Sequence, residues 1–140
     1  MHRFTVETRQ HTEFINIDAQ VRQLLRETGL ENGLLHLHVP HTTAGITINE
    51  NADPDVPHDI ACALEKAVPW RSHEYRHDEG NSAAHVKASM MGAGLTLIIE
   101  HGKPQLGTWQ SVFFCEFDGP RRRSVWAMAM PQTATHDTNP

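Results

Sequence analysis

Cysteine is nearly absent from this chain: Cys62 and Cys115 are its only two, in 140 residues, and they stand in unrelated patterns. That excludes a disulfide framework and a Cys-x-x-Cys zinc or redox pair. Two reduced thiols fit a cytoplasmic protein. Long apolar runs are missing as well. The opening "MHRFTVETRQ" has none, and no later stretch reaches the roughly 18 apolar residues of a membrane span, so we expect a soluble chain with no membrane partner. Positive charge is scarce: 12 Lys and Arg against 17 Asp and Glu give a formal net charge of −5, and basic residues cluster only in "GPRRR", residues 119 to 123. A broad nucleic-acid footprint is thereby excluded, while a small anionic ligand is not. Walker-type P-loops, G-x-S-x-G elbows, dinucleotide fingerprints, internal repeats and heptads are also missing, which removes several common enzyme classes.

What is present is an ordinary globular composition, 39% apolar and 21% charged, at the length of one domain. The expected division is one domain over residues 1 to 130 and a polar tail over 131 to 140. "RFTVETRQHTEFINI" reads as two short strands around a polar turn near Gln10 to Thr12. Asp18 is expected to cap a first helix, roughly 18 to 28, whose Val21, Leu24 and Leu25 recur at helical spacing before Gly29 stops it. "GLLHLHVPH" alternates as a strand with Leu35, Leu37 and Val39 inward. A short strand from about 44 to 49 then enters a polar loop, and a second helix starts at Asp55. Asn81 or Ser82 should cap a third helix, closed by Gly92 or Gly94. "LTLIIEHG", "GTWQSVFFCEFDG" and "RSVWAMAM" complete the strands. The expected class is α+β, a single domain with a largely antiparallel, sandwich-like sheet and about three helices.

Eleven histidines are a large number for this length, and histidine is the commonest metal ligand. Three polar stretches carry most of the candidate chemistry: "HTTAGITINENADPD" (41 to 55), "HDEGNSAAH" (77 to 85) and "LGTWQSVFFCEFDGPRRR" (106 to 123). In the second, the helix start at Asn81 and Ser82 offers free backbone N–H groups to a phosphate or carboxylate. His77 and His85 flank it, and with His41 they would make a three-histidine set. Glu50 and Asp53 either hold a hard cation, act as acid and base, or simply belong to an Asx-rich turn that caps the second helix. His36 and His38 read as solvent-face residues, His2, His11 and His136 as needing no function, and "GPRRR" as a solvated charge run.

In this order and at this spacing, "HTTAGITINENADPDV", "HDEGNSAAHVKASMMG" and "LGTWQSVFFCEFDGPR" closely resemble the YjbQ-type family, also called the secondary thiamine-phosphate synthase family, over about residues 3 to 130. The resemblance implies a homotrimer with sites near subunit boundaries. It also implies a weak transferase activity that joins a hydroxymethylpyrimidine pyrophosphate to a thiazole phosphate. Carried over residue by residue, it makes His41, His77 and His85 the metal ligands and Glu50, Asp53 and Arg121 the catalytic candidates. Asn51, Asn81, Ser82, Thr108, Trp109 and Gln110 become substrate contacts. The implied cofactor is a divalent metal, Zn²⁺ or another transition ion on the histidines, with Mg²⁺ open as the partner of a pyrophosphate substrate. The alternative is a non-catalytic homotrimer that binds a metal or a phosphorylated metabolite.

Overall fold

The structure, a computed structural model, describes residues 1–133; residues 134–140, which include His136 and most of the expected polar tail, lie outside the described residues. The element order is β1 (His2–Glu7), β2 (Glu13–Asn16), α1 (Asp18–Thr28), β3 (Gly33–His38), β4 (Ala44–Glu50), α2 (Asp55–Ala67), α3 (Ser82–Met91), β5 (Gly94–Glu100), β6 (Lys103–Pro104), β7 (Gln110–Glu116) and β8 (Arg122–Pro131). Two antiparallel sheets result, a five-stranded one in the order β1-β8-β3-β5-β6 and a three-stranded one in the order β2-β7-β4. The α+β expectation holds. No helix among the described residues is long and apolar enough to cross a membrane.

The layering follows from side-chain alternation. Val6, Leu35, Leu37, Leu97, Ile99, Val125 and Ala127 line the inner face of the larger sheet and meet Ala44, Ile46, Val112 and Phe114 of the smaller one, with Val21, Leu24 and Leu25 of α1 joining them. The opposite face of the smaller sheet buries Phe113, Cys115 and the following Phe117 against Leu64 of α2 and Ala84 and Ala88 of α3. Strand β7 is therefore covered on both faces and reads as a nearly continuous buried run. The outer face of the larger sheet is uncovered: Leu34, Ile98, Met128 and Met130 are exposed there.

Local details depart from expectation in instructive ways. Asp18 does not cap α1. The residue before the helix is Ile17, and Asp18 sits in the first turn, where its carboxylate accepts the Val112 N–H at 2.9 Å and fastens the helix to β7. Gly29 ends α1 in the left-handed conformation, as its position implies. Asn81 occupies the N-cap position of α3 as expected, but its side chain makes no capping hydrogen bond. The last strand also extends past residue 130, with Pro131 still in β8 and the Gln132 N–H bonded to the Asn32 carbonyl at 2.9 Å. Gly45 is required by packing. A Cβ there would lie 2.9 Å from both the Gly92 carbonyl oxygen and the Met91 Cβ, so its absence lets the end of α3 lie directly on β4.

Candidate functional site

Three connections meet at one end of the two sheets: the β3–β4 loop, the segment leading into α3, and the β7–β8 turn. They enclose a cavity of about 650 Å³ bordered by His41, Thr43, Trp70, His77, Glu79, Asn81, His85, Asp118, Arg121 and Arg123. That volume suits a small molecule. Beneath it lies a buried ion pair. Glu116 on β7 and Arg123 on β8 are 0% and 3% exposed, and their side chains bridge the two sheets with the Arg123 Nε 2.9 Å from Glu116 Oε1. Glu116 also accepts from the Thr8 hydroxyl and from the backbone N–H groups of Phe117 and Asp118, while Arg123 donates to the Thr43 hydroxyl at 2.8 Å. Every one of these groups is paired, the condition under which charge can stay buried.

The pocket walls are set on that base. Asp118 accepts from the Asn81 amide at 2.9 Å and from Arg121 Nη2 at 3.1 Å, and its carbonyl accepts from Arg121 Nε at 2.8 Å. One carboxylate thus ties the start of α3 to the β7–β8 turn and orients the exposed guanidinium of Arg121. Asn81 Oδ1 is left buried without a partner. His85, in the first turn of α3, faces His77 edge-on with ring centroids 5.2 Å apart, and His77 Nε2 lies 3.8 Å from the Glu79 carboxylate. His41 sits across the cavity, where its Nε2 accepts the Ser124 N–H at 2.9 Å. Burial, with the Arg123 charge adding to it, holds the His41 imidazole below its ordinary pKa. Trp70 packs edge-on against His11 at 4.3 Å, and its main-chain N–H is held by Glu65, which also bridges to the buried Lys87 of α3.

The structure therefore gathers His41, His77, His85, Asn81 and Arg121 on one cavity. Ser82 borders an adjoining hollow with Arg71, His73 and Tyr75. The other candidates lie at the opposite end of the β4–β7 pair: Glu50 stands opposite Gln110 and the Asn51 N–H bonds the Trp109 carbonyl at 3.2 Å, whereas Ala44 stands opposite Glu116 at the pocket end. Seven residues of strand separate the two ends, about 20 Å. Asp53 is part of the turn into α2, where its carboxylate accepts the Asp55 N–H at 2.9 Å. Among the described residues no three His, Cys, Asp or Glu side chains converge closely enough to hold a metal ion. His77 and His85 face each other edge-on, whereas His41 has its Nε2 lone pair engaged by the Ser124 N–H.

Sequence reasoning overlooked Trp70, Glu79, Asp118 and the Glu116–Arg123 pair, and read Arg123 as part of a solvated run. A signal for the pair existed. Glu116 shares its strand parity with the inward Val112 and Phe114, and Arg123 shares its parity with Val125 and Ala127, so two opposite charges fall on inward positions of adjacent segments. Trp70, Glu79 and Asp118 lie in irregular connections with no periodicity to read.

Comparison with known proteins is consistent over the whole described chain. The family described as UPF0047 protein YjbQ-like matches residues 2–132. The UPF0047 protein YugU of Bacillus subtilis is 48% identical over 125 residues, covering 89% of this chain and 95% of that protein. A crystal structure of a yjbq/upf0047 family protein from Clostridium acetobutylicum, 48% identical, superimposes with a TM-score of 0.89 and covers 93% of this chain and 100% of its own. A conserved hypothetical protein from Thermus thermophilus, 42% identical, gives 0.88 with 93% and 100% covered. A likeness of this extent in sequence and in fold has one reading: the chain belongs to the YjbQ-like UPF0047 family.

Proposed function

We propose that the cavity binds the phosphate end of a small phosphorylated molecule and catalyses displacement of a diphosphate from it. The observation that carries this reading is the convergence of His41, His77, His85 and Arg121 on one small-molecule cavity above a buried, fully paired arginine. Arg121 is pinned by Asp118 through Nε and one Nη, which leaves the rest of its fork to grip a phosphate. Negative charge grows on a departing diphosphate, and fixed donors aimed at it lower the barrier. Joining a pyrimidine pyrophosphate to a thiazole phosphate is one reaction of this class, and the ring nitrogen acting as nucleophile explains why no Ser, Cys or Lys nucleophile is needed. A divalent ion would be held by His77 and His85 and would supply charge neutralisation at the phosphate oxygens.

The homotrimer belongs to the same proposal. Glu50, Asp53 and Trp109 stand about 20 Å from the cavity within one chain, so a neighbouring copy is what would bring them to it. The exposed Leu34, Ile98, Met128 and Met130 offer an apolar face for such an assembly. A cytoplasmic location suits the free thiols of Cys62 and Cys115.

The test is release of pyrophosphate from the pyrimidine pyrophosphate and thiazole phosphate pair, with chelator-treated and metal-loaded protein. His85→Ala should abolish turnover with an unchanged circular dichroism spectrum; full activity in that variant refutes the proposal. Tight binding without turnover in the wild type would establish the binding-module alternative instead.

A further inference from the structure

We infer that His41 serves this cavity as a hydrogen-bond donor to a bound anion, through Nδ1–H, and not as a metal ligand. The inference rests on the phosphate-binding reading above and adds a role for one residue within it. A neutral imidazole has one N–H and one lone-pair nitrogen, and the partner of either fixes the other. The partner here is the main-chain N–H of Ser124, a group that can only donate, and it points at His41 Nε2 at 2.9 Å. Nε2 therefore carries the lone pair and Nδ1 carries the proton. Nδ1 has no hydrogen-bond partner among the described residues, and the ring borders the cavity.

The arrangement has a structural origin. In the ladder between β3 and β8, His38 stands opposite Trp126. Continued by two residues, the register would set Pro40 opposite Ser124, but β3 ends at His38; beyond it the Val39 N–H still bonds the Ala93 carbonyl on the β5 side at 2.7 Å, while the pairing with β8 stops. The Ser124 N–H that a longer strand would have satisfied is taken by the His41 ring. Two uses of the ring are thereby blocked. Coordination through Nε2 would strip Ser124 of its acceptor, and coordination through Nδ1 would need an imidazole with no N–H at all. Protonation at Nε2 would put a second donor against the Ser124 N–H. What is left is a neutral N–H on a ring that borders the same cavity as Arg121, and the proposed metal hold reduces to His77 and His85.

The test separates the two nitrogens. Gln at 41 can place its carbonyl oxygen where Nε2 lies, so His41→Gln keeps the Ser124 bond and the fold while leaving no donor at the Nδ1 position, its own amide N–H groups lying elsewhere. Asn can place its amide where Nδ1 lies, so His41→Asn keeps the donor. Long-range ¹⁵N–¹H correlation spectra of histidine-labelled wild type should show His41 as the Nδ1–H tautomer. Calorimetry of chelator-treated protein with inorganic diphosphate should show affinity about tenfold or more weaker in His41→Gln, the loss of one hydrogen bond to a charged group, and recovered in part in His41→Asn. Zn²⁺ stoichiometry should be unchanged in both variants. An Nε2–H tautomer, a loss of Zn²⁺ in His41→Gln, or unchanged diphosphate affinity in that variant overturns the inference alone. A wild type that does not bind diphosphate overturns the phosphate reading together with it.

Discussion

Replacing Glu116 with Ala should be among the most damaging single changes in this protein. The side chain is fully buried, and it accepts from Thr8 Oγ1 at 2.8 Å, Arg123 Nε at 2.9 Å, and the N–H groups of Phe117 and Asp118 at 3.1 and 3.2 Å. Alanine leaves Arg123, itself 3% exposed, with only Thr43 to receive its donors. Removing one member of a buried ion pair costs about 3–5 kcal/mol, because the other charge stays desolvated and unpaired. Against a total stability of about 5–15 kcal/mol for a domain, that is a large fraction. For a chain of this size it corresponds to a fall in Tm on the order of 10 °C. Urea unfolding monitored by circular dichroism gives the free energy directly. The companion variant is Glu116→Leu with Arg123→Met, which removes both charges and fills much of the same volume; it should recover part of the loss, the remainder being the cost of leaving the Phe117 and Asp118 N–H groups and the Thr8 hydroxyl without the Glu116 acceptor. A Glu116→Ala protein destabilised by less than about 1 kcal/mol would show that the pair is wetter than its geometry states and would remove the buried platform from the account of the site. If the double variant is stable and binds diphosphate less well, the pair is retained for the cavity and not for the fold.

Two further outcomes follow from packing. Gly45→Ala places a Cβ 2.9 Å from the Gly92 carbonyl oxygen and the Met91 Cβ, so α3 must move off β4. A loss of about 1–3 kcal/mol in urea unfolding is expected, with weaker diphosphate binding because His85 and Asn81 travel with the helix; an unchanged midpoint would show that α3 is loosely seated. Ile98→Asp puts a charge in the middle of the uncovered apolar face, where Ile98 is 58% exposed. If the proposed trimer forms through this face, light scattering at micromolar concentration should report a trimer for the wild type and a monomer for this variant. A trimer that persists in this variant excludes the face from the assembly.

The strands and helices of this protein were legible because their causes are local. Two-residue alternation in "GLLHLHV", 3.6-residue spacing of Val21, Leu24 and Leu25, and a left-handed glycine at position 29 each act within a few residues, and each element formed where its pattern stood. Strand β6 escaped because it is only two residues long and carries no period. The chemistry of the site was legible as residue types and order: histidines, an arginine and an amide in three polar stretches are properties of the chain itself.

Which of those residues share a cavity was decided only by tertiary structure. The stretches 41–55 and 106–123 each contain a whole strand, and antiparallel pairing sends the two ends of each to opposite ends of the sheet. Hence His41 and Arg121 meet His77 and His85, while Glu50, Trp109 and Gln110 gather about 20 Å away. The tautomer of His41 and the orientation of Arg121 were likewise beyond reach of the chain alone. The first depends on an N–H of Ser124, 83 residues distant, and the second on how Asp118 is shared with Asn81 across 37 residues. Sequence determines what each segment can do by itself; a long-range hydrogen bond exists only once the sheets have closed and set both partners at the same place.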